Sequence, residues 1–515
     1  MKLNFVQNTK RNIVAKSINQ VFQLLFPFLN RTLFLWLLGP DYLGLNGLFA
    51  SILGVLRLTE LGFGSAVSCS MYKLVARDDR EQICACLRFY RSLYHWVGIG
   101  IFGIGLCLLP FIRRLIHGEV PPDINVYVLY LIHLLNTAIG YFFFAYRGCV
   151  LSIHHRDDVL TNINTSISIV QYITVALLLI LTRSYYYYVI ATVFFSIISN
   201  LLILFGSRRL FPDIEPRGEL KRSLRHRILV DSKAVFLHKI GGAILNFADN
   251  IVISSFLGLA AIAVYGNYNF IRLSVAGFVG IVAKSIRAGI GNRIHTDTRE
   301  NNFYLFMKLH KLSMIGTVWS MAMMIALYQP FMRLWTKEDP ALMRHLLTPL
   351  LMACCFYVVQ AHQMLLVFKE SADIWHPDRW KPLVSASLNL GLNILFVILF
   401  PEGYKLDGVI LSTVLALTFV DTPWELYVVF TLLFNSTQAR HYLKLQLNLT
   451  LIAIGVSAAA WCGAEAVPFE GLTGLLIKAC VSAIISGGMT LLLFRSDLKD
   501  VVKKLLDKKS GVPAS

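Results

Sequence analysis

Long apolar blocks alternate with short polar segments along the whole 515-residue chain. Each block is about 20 residues long, the length of α-helix that crosses a hydrocarbon core of about 30 Å at a rise of about 1.5 Å per residue. The pattern therefore predicts an all-α integral membrane protein with about 14 membrane-spanning helices. The predicted spans cover 13–38, 44–66, 92–112, 124–146, 159–182, 185–206, 236–258, 261–283, 312–332, 346–368, 382–400, 407–430, 445–463 and 472–494.

The first apolar block differs from a cleavable signal peptide. It follows a long polar start, lacks a small-residue cleavage site and contains the polar pair Asn30–Arg31. We therefore expect it to be the first retained span.

Composition agrees with a membrane setting and explains the charge. Hydrophobic residues make up 56% and charged residues 15% of the chain, against about 25% charged in a typical soluble domain. Of the 48 lysines and arginines, 36 fall in alternate segments and 7 in the opposite set. The positive-inside rule then places both termini in the cytoplasm. The formal charge of +18 indicates loops that face anionic membrane lipids and requires no nucleic-acid partner.

The chain also repeats itself at an offset of about 219 positions. Asn30–Arg31 aligns with Asp249–Asn250, and Gly39 aligns with Gly258. Six spans per copy is an even number, so the two copies are predicted to lie parallel around a central cavity, with two further helices at the end. The predicted parts are an N-lobe 1–206, a basic cytoplasmic linker 207–235, a C-lobe 236–434, two helices in 435–494 and a basic cytoplasmic tail 495–515.

Polar residues within the spans predict a site in that cavity. A charged side chain costs about 2.5–3.5 kcal/mol at the centre of a membrane helix, so it usually faces a cavity or a partner. The first helix carries Asn30 and Arg31 on one face, and its repeat mate carries Lys239, Asp249 and Asn250 in the same register. We expect Asp249 to lie near mid-membrane.

Two further charges lie in the second and eighth helices. Arg57 lies one turn before Glu60, and Asn269 lies one turn before Arg272. The first pair suits either a local ion pair that locks two helices or a pair that faces the cavity. In the twelfth span, Asp421 and Glu425 are predicted to be interfacial.

Other polar and aromatic residues have simpler explanations. Tyr185 to Tyr188 open the sixth span and predict an interfacial aromatic belt. His133 is expected to be a hydrogen-bonded structural histidine. The nine cysteines are scattered without metal-ligand spacing, so they predict small buried residues and no metal site.

Catalytic motifs are absent from the sequence. The chain has no P-loop, no HExxH, no GxSxG and no large extramembrane segment. This favours a transporter that does not hydrolyse ATP over an enzyme, and no cofactor is expected.

Two stretches of sequence resemble a known family. The first comprises 42–49 (YLGLNGLF), 58–64 (LTELGFG) and 70–72 (SMY); the second comprises Asp249–Asn250, 256–258 (FLG) and 264–268 (VYGNY). They are similar to bacterial polysaccharide flippases of the Wzx type, including those for O-antigen, in the multidrug/oligosaccharidyl-lipid/polysaccharide (MOP) exporter superfamily. The resemblance extends over nearly the whole chain and implies a MATE-like pair of lobes.

The resemblance implies a function. The chain would move an undecaprenyl-pyrophosphate-linked oligosaccharide from the cytoplasmic to the outer leaflet of the bacterial inner (plasma) membrane by alternating access, beside other polysaccharide-assembly proteins. Arg and Lys suit pyrophosphate, so the candidate cargo site is Arg31, Arg57, Lys239, Arg272, Asn30 and Asn250. Asp249 and Glu60 are the candidates for coupling to H⁺ or Na⁺.

Three other interpretations stay open at the level of sequence. A multidrug or cation exporter of the same superfamily would favour an acidic or aromatic cleft. A membrane-embedded polysaccharide polymerase or glycosyltransferase would favour a long outer loop with Arg, His or carboxylates. A scaffold of the export machinery would tolerate loss of the cavity charges.

Overall fold

The computed structural model describes residues 22, 25–57, 63–294, 296–374 and 377–495, without the side chains of 63, 65, 66, 231–246, 281–289 and 292. Contacts divide the chain into two compact units, Met1–Ala263 and Val264–Ser515. Throughout the described residues the regular structure is helical. The predicted fold class, an all-α membrane protein, is confirmed.

The first unit contains nine α-helices and the start of a tenth. They are α1 (Leu25–Leu37), α2 (Pro40–Leu56), α3 (Phe63–Ala76), α4 (Arg80–Leu108, continued by a 3₁₀ segment Leu109–Leu115), α5 (Val126–Phe142), α6 (Gly148–Ile153), α7 (Asp157–Thr182), α8 (Tyr185–Leu210), α9 (Arg222–Leu257) and α10 (Leu259–Ile294). Within this unit α9 packs along both α2 and α3.

The second unit contains the rest of α10 and eight further helices. These are α11 (Arg299–Trp335), α12 (Leu347–Ala361), α13 (Gln363–Ser371), α14 (Lys381–Leu399), α15 (Lys405–Ala416), α16 (Thr422–Leu432), α17 (Ser436–Glu465) and α18 (Gly471–Leu493). A π-helical turn, Leu417–Asp421, joins α15 to α16. In this unit α11 packs along α17 and α18, which ties the two last helices to the unit's core.

Helix starts follow the internal repeat that the sequence shows. Gly39 and Gly258, 219 positions apart, have φ angles of +100° and +88° and directly precede α2 and α10. Glycine adopts this region without a Cβ penalty, which explains why both copies place it at the junction. Likewise Asp79 and Thr298 cap α4 and α11 by accepting the backbone N–H of Gln82 and Asn301.

The described residues include nine helices long and apolar enough to cross a membrane, or ten if the bent pair Val126–Phe142 and Ala145–Ile153 is one span. Ten of the predicted spans fall on these helices. The chain is thus a multi-pass membrane protein. The count of fourteen spans and the lobe boundaries stay predictions.

Candidate functional site

The polar face of α1 lies in the first unit and is largely enclosed. Asn30 is 7% exposed and Arg31 is half-buried. The Nη2 group of Arg31 donates a hydrogen bond of 3.3 Å to the carbonyl oxygen of Ala263 at the start of α10. A guanidinium has five N–H donors, and this bond places one of them against the backbone of α10.

The corresponding polar face in the second copy of the repeat lies on α9 and is hydrogen-bonded to α2. The Nδ2 group of Asn250 donates a hydrogen bond of 2.8 Å to Oγ of Ser51, and Asp249 beside it is 3% exposed. The Oδ1 atoms of Asn30 and Asn250 are both buried and have no hydrogen-bond partner within the described part of the chain. Buried acceptors of this kind suit a ligand donor or an ordered water.

Arg57 begins a chain of polar contacts inside the first unit. Its Nη2 group donates to Oγ1 of Thr137 at 3.3 Å, and Thr137 donates to the carbonyl of His133 at 3.1 Å. The ring of His133 then contacts the hydroxyl of Tyr185 at 3.1 Å, which donates to Asn46 at 3.2 Å. His133 is therefore a hydrogen-bonded histidine, as predicted. Tyr185 is fully buried in this network, so its assignment to an interfacial belt is wrong.

The other predicted site residues lie in the second unit or have side chains outside the described residues. In the second unit, Nε of Arg272 donates to Oδ1 of Asn269 at 2.9 Å, one helical turn away. Glu60 and the side chain of Lys239 lie outside the described residues. The structure thus brings Asn30, Arg31, Arg57, Asp249 and Asn250 into one unit. Their convergence with Arg272 on a single cavity stays a prediction.

The second unit contains a buried ionic cluster that sequence reasoning missed. Nζ of Lys369, at the end of α13, bonds Oε1 of Glu425 at 2.9 Å and also pairs with Asp378. Lys381 pairs with the same Glu425 and lies 4.0 Å from Asp421. Lys369, Asp378 and Glu425 are each 0% exposed. We name these five residues the ionic cluster.

The ionic cluster adds partners that the prediction for the twelfth span did not include. The interfacial depth expected for Asp421 and Glu425 stays a prediction, and within the protein the two residues are 7% and 0% exposed. Both flank the junction between the π-helical turn and α16, where α14 packs and the hydroxyl of Ser385 donates to Asp421 at 3.0 Å. The two lysines neutralise these carboxylates, because a buried carboxylate without a partner would be costly.

The described residues contain no cluster of metal-ligating side chains. No group of three or more His, Cys, Asp or Glu side chains among them is placed to hold a metal ion. The nine cysteines are free thiols, and five of them are exposed: Cys69, Cys107, Cys354, Cys462 and Cys480. The expectation that the cysteines are buried is therefore wrong for these five.

Comparison with known proteins identifies the fold. No protein-family sequence model matches the chain, and no curated protein sequence matches it significantly. Among solved structures, the lipid II flippase MurJ in an inward closed conformation matches with a TM-score of 0.64 and 15% identity over 94% of this chain and 99% of MurJ.

Two structures described as a multidrug resistance MATE family transporter of the MOP superfamily also match. The inward-facing one has a TM-score of 0.56 and 16% identity, over 81% of this chain and 98% of the transporter. The outward-facing one has a TM-score of 0.55 and 14% identity, over 85% and 96%. At these identities the likeness shows the fold alone: the chain has the all-α membrane fold that these MOP-superfamily proteins share.

Proposed function

We propose that the protein is a flippase that moves an undecaprenyl-pyrophosphate-linked oligosaccharide from the cytoplasmic to the outer leaflet of a bacterial inner membrane. The observation that carries this proposal is Arg31, a half-buried arginine on an apolar helix, fixed to the Ala263 carbonyl beside the buried amide of Asn30. A charged side chain in a membrane helix is energetically costly, so its presence indicates a partner, and an anionic cargo group would suit this arginine.

Pyrophosphate is the group that this chemistry fits best. A planar guanidinium forms charge-assisted, bidentate hydrogen bonds to phosphate oxygens. The buried amide oxygens of Asn30 and Asn250 complement the guanidinium, because they can accept bonds from sugar hydroxyls. The polyprenyl tail can stay in the lipid while the polar head passes through the protein.

Alternating access supplies the movement in this proposal. The fold is shared with transporters solved in inward-facing and outward-facing conformations, and a two-copy build is the usual frame for such rocking. Cargo binding would shift the balance between the two states without any hydrolysis by the chain.

A multidrug exporter of the same fold is the second candidate, since the MATE relatives carry that description and Asp249 is a buried carboxylate. The test is transport by the purified protein in vesicles. We expect the lipid-linked oligosaccharide to change leaflet and a quaternary ammonium drug to stay where it is. Drug transport without movement of the oligosaccharide lipid would establish the second candidate instead.

We also propose that Asp249 couples the cycle to an H⁺ or Na⁺ gradient. A carboxylate that is 3% exposed on a membrane helix changes the local charge whenever it binds a cation. Asp249→Asn should abolish the stimulation of flipping by a pH or sodium gradient, measured in vesicles with and without the gradient.

The control for Asp249 is Asp158→Asn. Asp158 is similarly buried, at 7% exposed, and lies at the start of α7, where it pairs with Arg156. That variant should keep the gradient dependence of the parent protein. If Asp249→Asn still responds to both gradients, Asp249 does not couple the cycle.

A further inference from the structure

A basic cleft of about 230 Å³ lies at one end of the first unit. It opens between two segments: the last turns of α3 with the turn that leads into α4, and the first turns of α9. The first segment lies between the predicted spans 44–66 and 92–112, and the second lies in the predicted basic cytoplasmic linker 207–235. Its lining side chains are Cys69, Ser70, Lys73, Leu74, Arg77, Asp79, Gln82, Lys221, Leu224 and Arg227.

The charges of this cleft are strongly unbalanced. Four cations, from Lys73, Arg77, Lys221 and Arg227, face the single carboxylate of Asp79. That carboxylate is engaged as the N-cap of α4, where it accepts the backbone N–H of Gln82 at 3.2 Å. Like charges held together in this way raise the affinity for a multivalent anion.

Among the described carboxylates, Asp78 and Asp213 are paired with an arginine outside the cleft. Asp213 and Asp78 both pair with Arg80, at 3.4 and 3.6 Å, and Arg80 does not line the cleft. Within the described residues, none of the four lining cations forms an ion pair with a carboxylate. The excess positive charge is therefore available to a ligand.

The N-terminus of α9 adds to the positive electrostatic potential of the cleft. This 36-residue helix begins at Arg222, and Lys221 precedes it without a side-chain cap. The N–H of Lys221 donates to Oε1 of the buried Gln82 at 3.2 Å, which fixes the start of α9 against α4. The first N–H groups of a long helix attract phosphate, and Ser70, 7% exposed, places a hydroxyl on the wall.

We propose that the cleft is a binding site for a phosphomonoester or diphosphate group. Four cations against one capped carboxylate match an anion of two or more charges better than a phosphodiester with a single charge. Leu74 and Leu224 in the wall suit a headgroup that enters from the membrane surface. The site is separate from the Arg31 region and does not depend on the proposed translocation.

Cys69 provides a direct readout, because it is exposed and lines the cleft. In the purified full-length protein, inorganic pyrophosphate should slow the reaction of Cys69 with N-ethylmaleimide by about tenfold when present at about ten times its Kd. The rate is followed by mass spectrometry of the Cys69 peptide, at ionic strength matched with chloride. Cys107, exposed on α4 and outside the cleft, is the internal reference.

The variant Arg77→Gln/Arg227→Gln should raise the Kd for pyrophosphate by about tenfold or more, since each charge-assisted contact is lost. The matched control is Arg225→Gln on the same helix, whose guanidinium lies over the ring of Phe89 at 5.6 Å and outside the cleft. It should leave protection of Cys69 unchanged. Equal protection in the double variant, or no protection beyond that of chloride, would overturn the proposal.

The source of the phosphate is resolved with lipid nanodiscs. Protection by phosphatidic acid, compared with phosphatidylcholine, identifies a lipid phosphomonoester as a ligand. Protection by soluble pyrophosphate alone identifies a free phosphate compound. If phosphatidylglycerol protects as well as phosphatidic acid, the cleft is only a general anionic-lipid surface and the proposal is wrong. Because no arm measures translocation, failure here leaves the proposed flippase function standing, and failure of flipping leaves the cleft standing.

Discussion

Lys369→Met is expected to destabilise the protein by about 3–5 kcal/mol, the cost of breaking a buried ion pair by removing one partner. The lysine is 0% exposed and pairs with both Asp378 and Glu425, which are also 0% exposed. Methionine fills similar volume, so the loss reflects uncompensated charge more than a cavity. The measurement is the free energy of unfolding, or the shift in Tm, of the purified protein in detergent.

Lys405→Met is the matched control for this effect. Lys405 pairs with Glu402, whose side chain is 85% exposed, and exposed pairs contribute about 0–1 kcal/mol. Adding Asp378→Asn to Lys369→Met should recover part of the loss, because one uncompensated charge disappears. A Lys369→Met protein as stable as Lys405→Met would show that the ionic cluster does not stabilise the second unit.

Arg31→Ala is expected to reduce flipping of the lipid-linked oligosaccharide by about tenfold or more. A hydrogen bond to a charged group contributes about 1.5–3 kcal/mol, and 1.4 kcal/mol is a factor of ten. Arg31→Lys should recover part of the rate, since it restores the charge without the bidentate geometry. The rate is measured in vesicles that contain equal amounts of folded protein.

The control for Arg31 is Arg114→Ala, which removes an exposed arginine that lies over the ring of Phe111. This variant should flip at the rate of the parent protein. If Arg31→Ala also keeps the full rate, the arginine does not bind the cargo and the anion site must be sought elsewhere.

The sequence was sufficient to predict ten membrane-crossing helices, because length and hydropathy alone decide such helices in lipid. The span 159–182 corresponds to Asp157–Thr182, and 472–494 corresponds to Gly471–Leu493. The repeat was also readable, since Gly39 and Gly258 meet the same backbone requirement in each copy. Local rules of this kind need no knowledge of which helices pack together.

Side-chain partners could not be predicted in the same way, because they depend on tertiary contacts. Lys369 and Lys381 lie between the predicted spans 346–368 and 382–400, yet each pairs with Glu425, 56 and 44 positions away. The four tyrosines from Tyr185 to Tyr188 are identical in sequence but differ in burial. Tyr185 is fully buried against Asn46 and His133, whereas Tyr187 is 54% exposed. Composition at a helix end therefore does not separate interfacial residues from core residues.

The burial of the cysteines could not be predicted from sequence either. Their apolar character predicted burial in the protein, but an apolar side chain on a membrane helix is equally stable facing lipid. Cys462 and Cys480 on the last two helices are exposed on the surface of the protein, whereas Cys86 is buried. Hydropathy predicts that a helix lies in the membrane, but it does not predict which face contacts lipid and which contacts protein.

Flipping is measured most directly by the leaflet in which an undecaprenyl-pyrophosphate-linked oligosaccharide resides after reconstitution of the purified full-length protein. The sugar is detected in the opposite leaflet with a reagent that cannot cross the membrane. We predict that it reaches that leaflet at a rate that rises with the amount of protein per vesicle and falls in the Arg31→Ala variant. A rate equal to that of protein-free vesicles, with the protein folded and transporting a quaternary ammonium drug, would show that the protein is a drug exporter and not a flippase for this lipid.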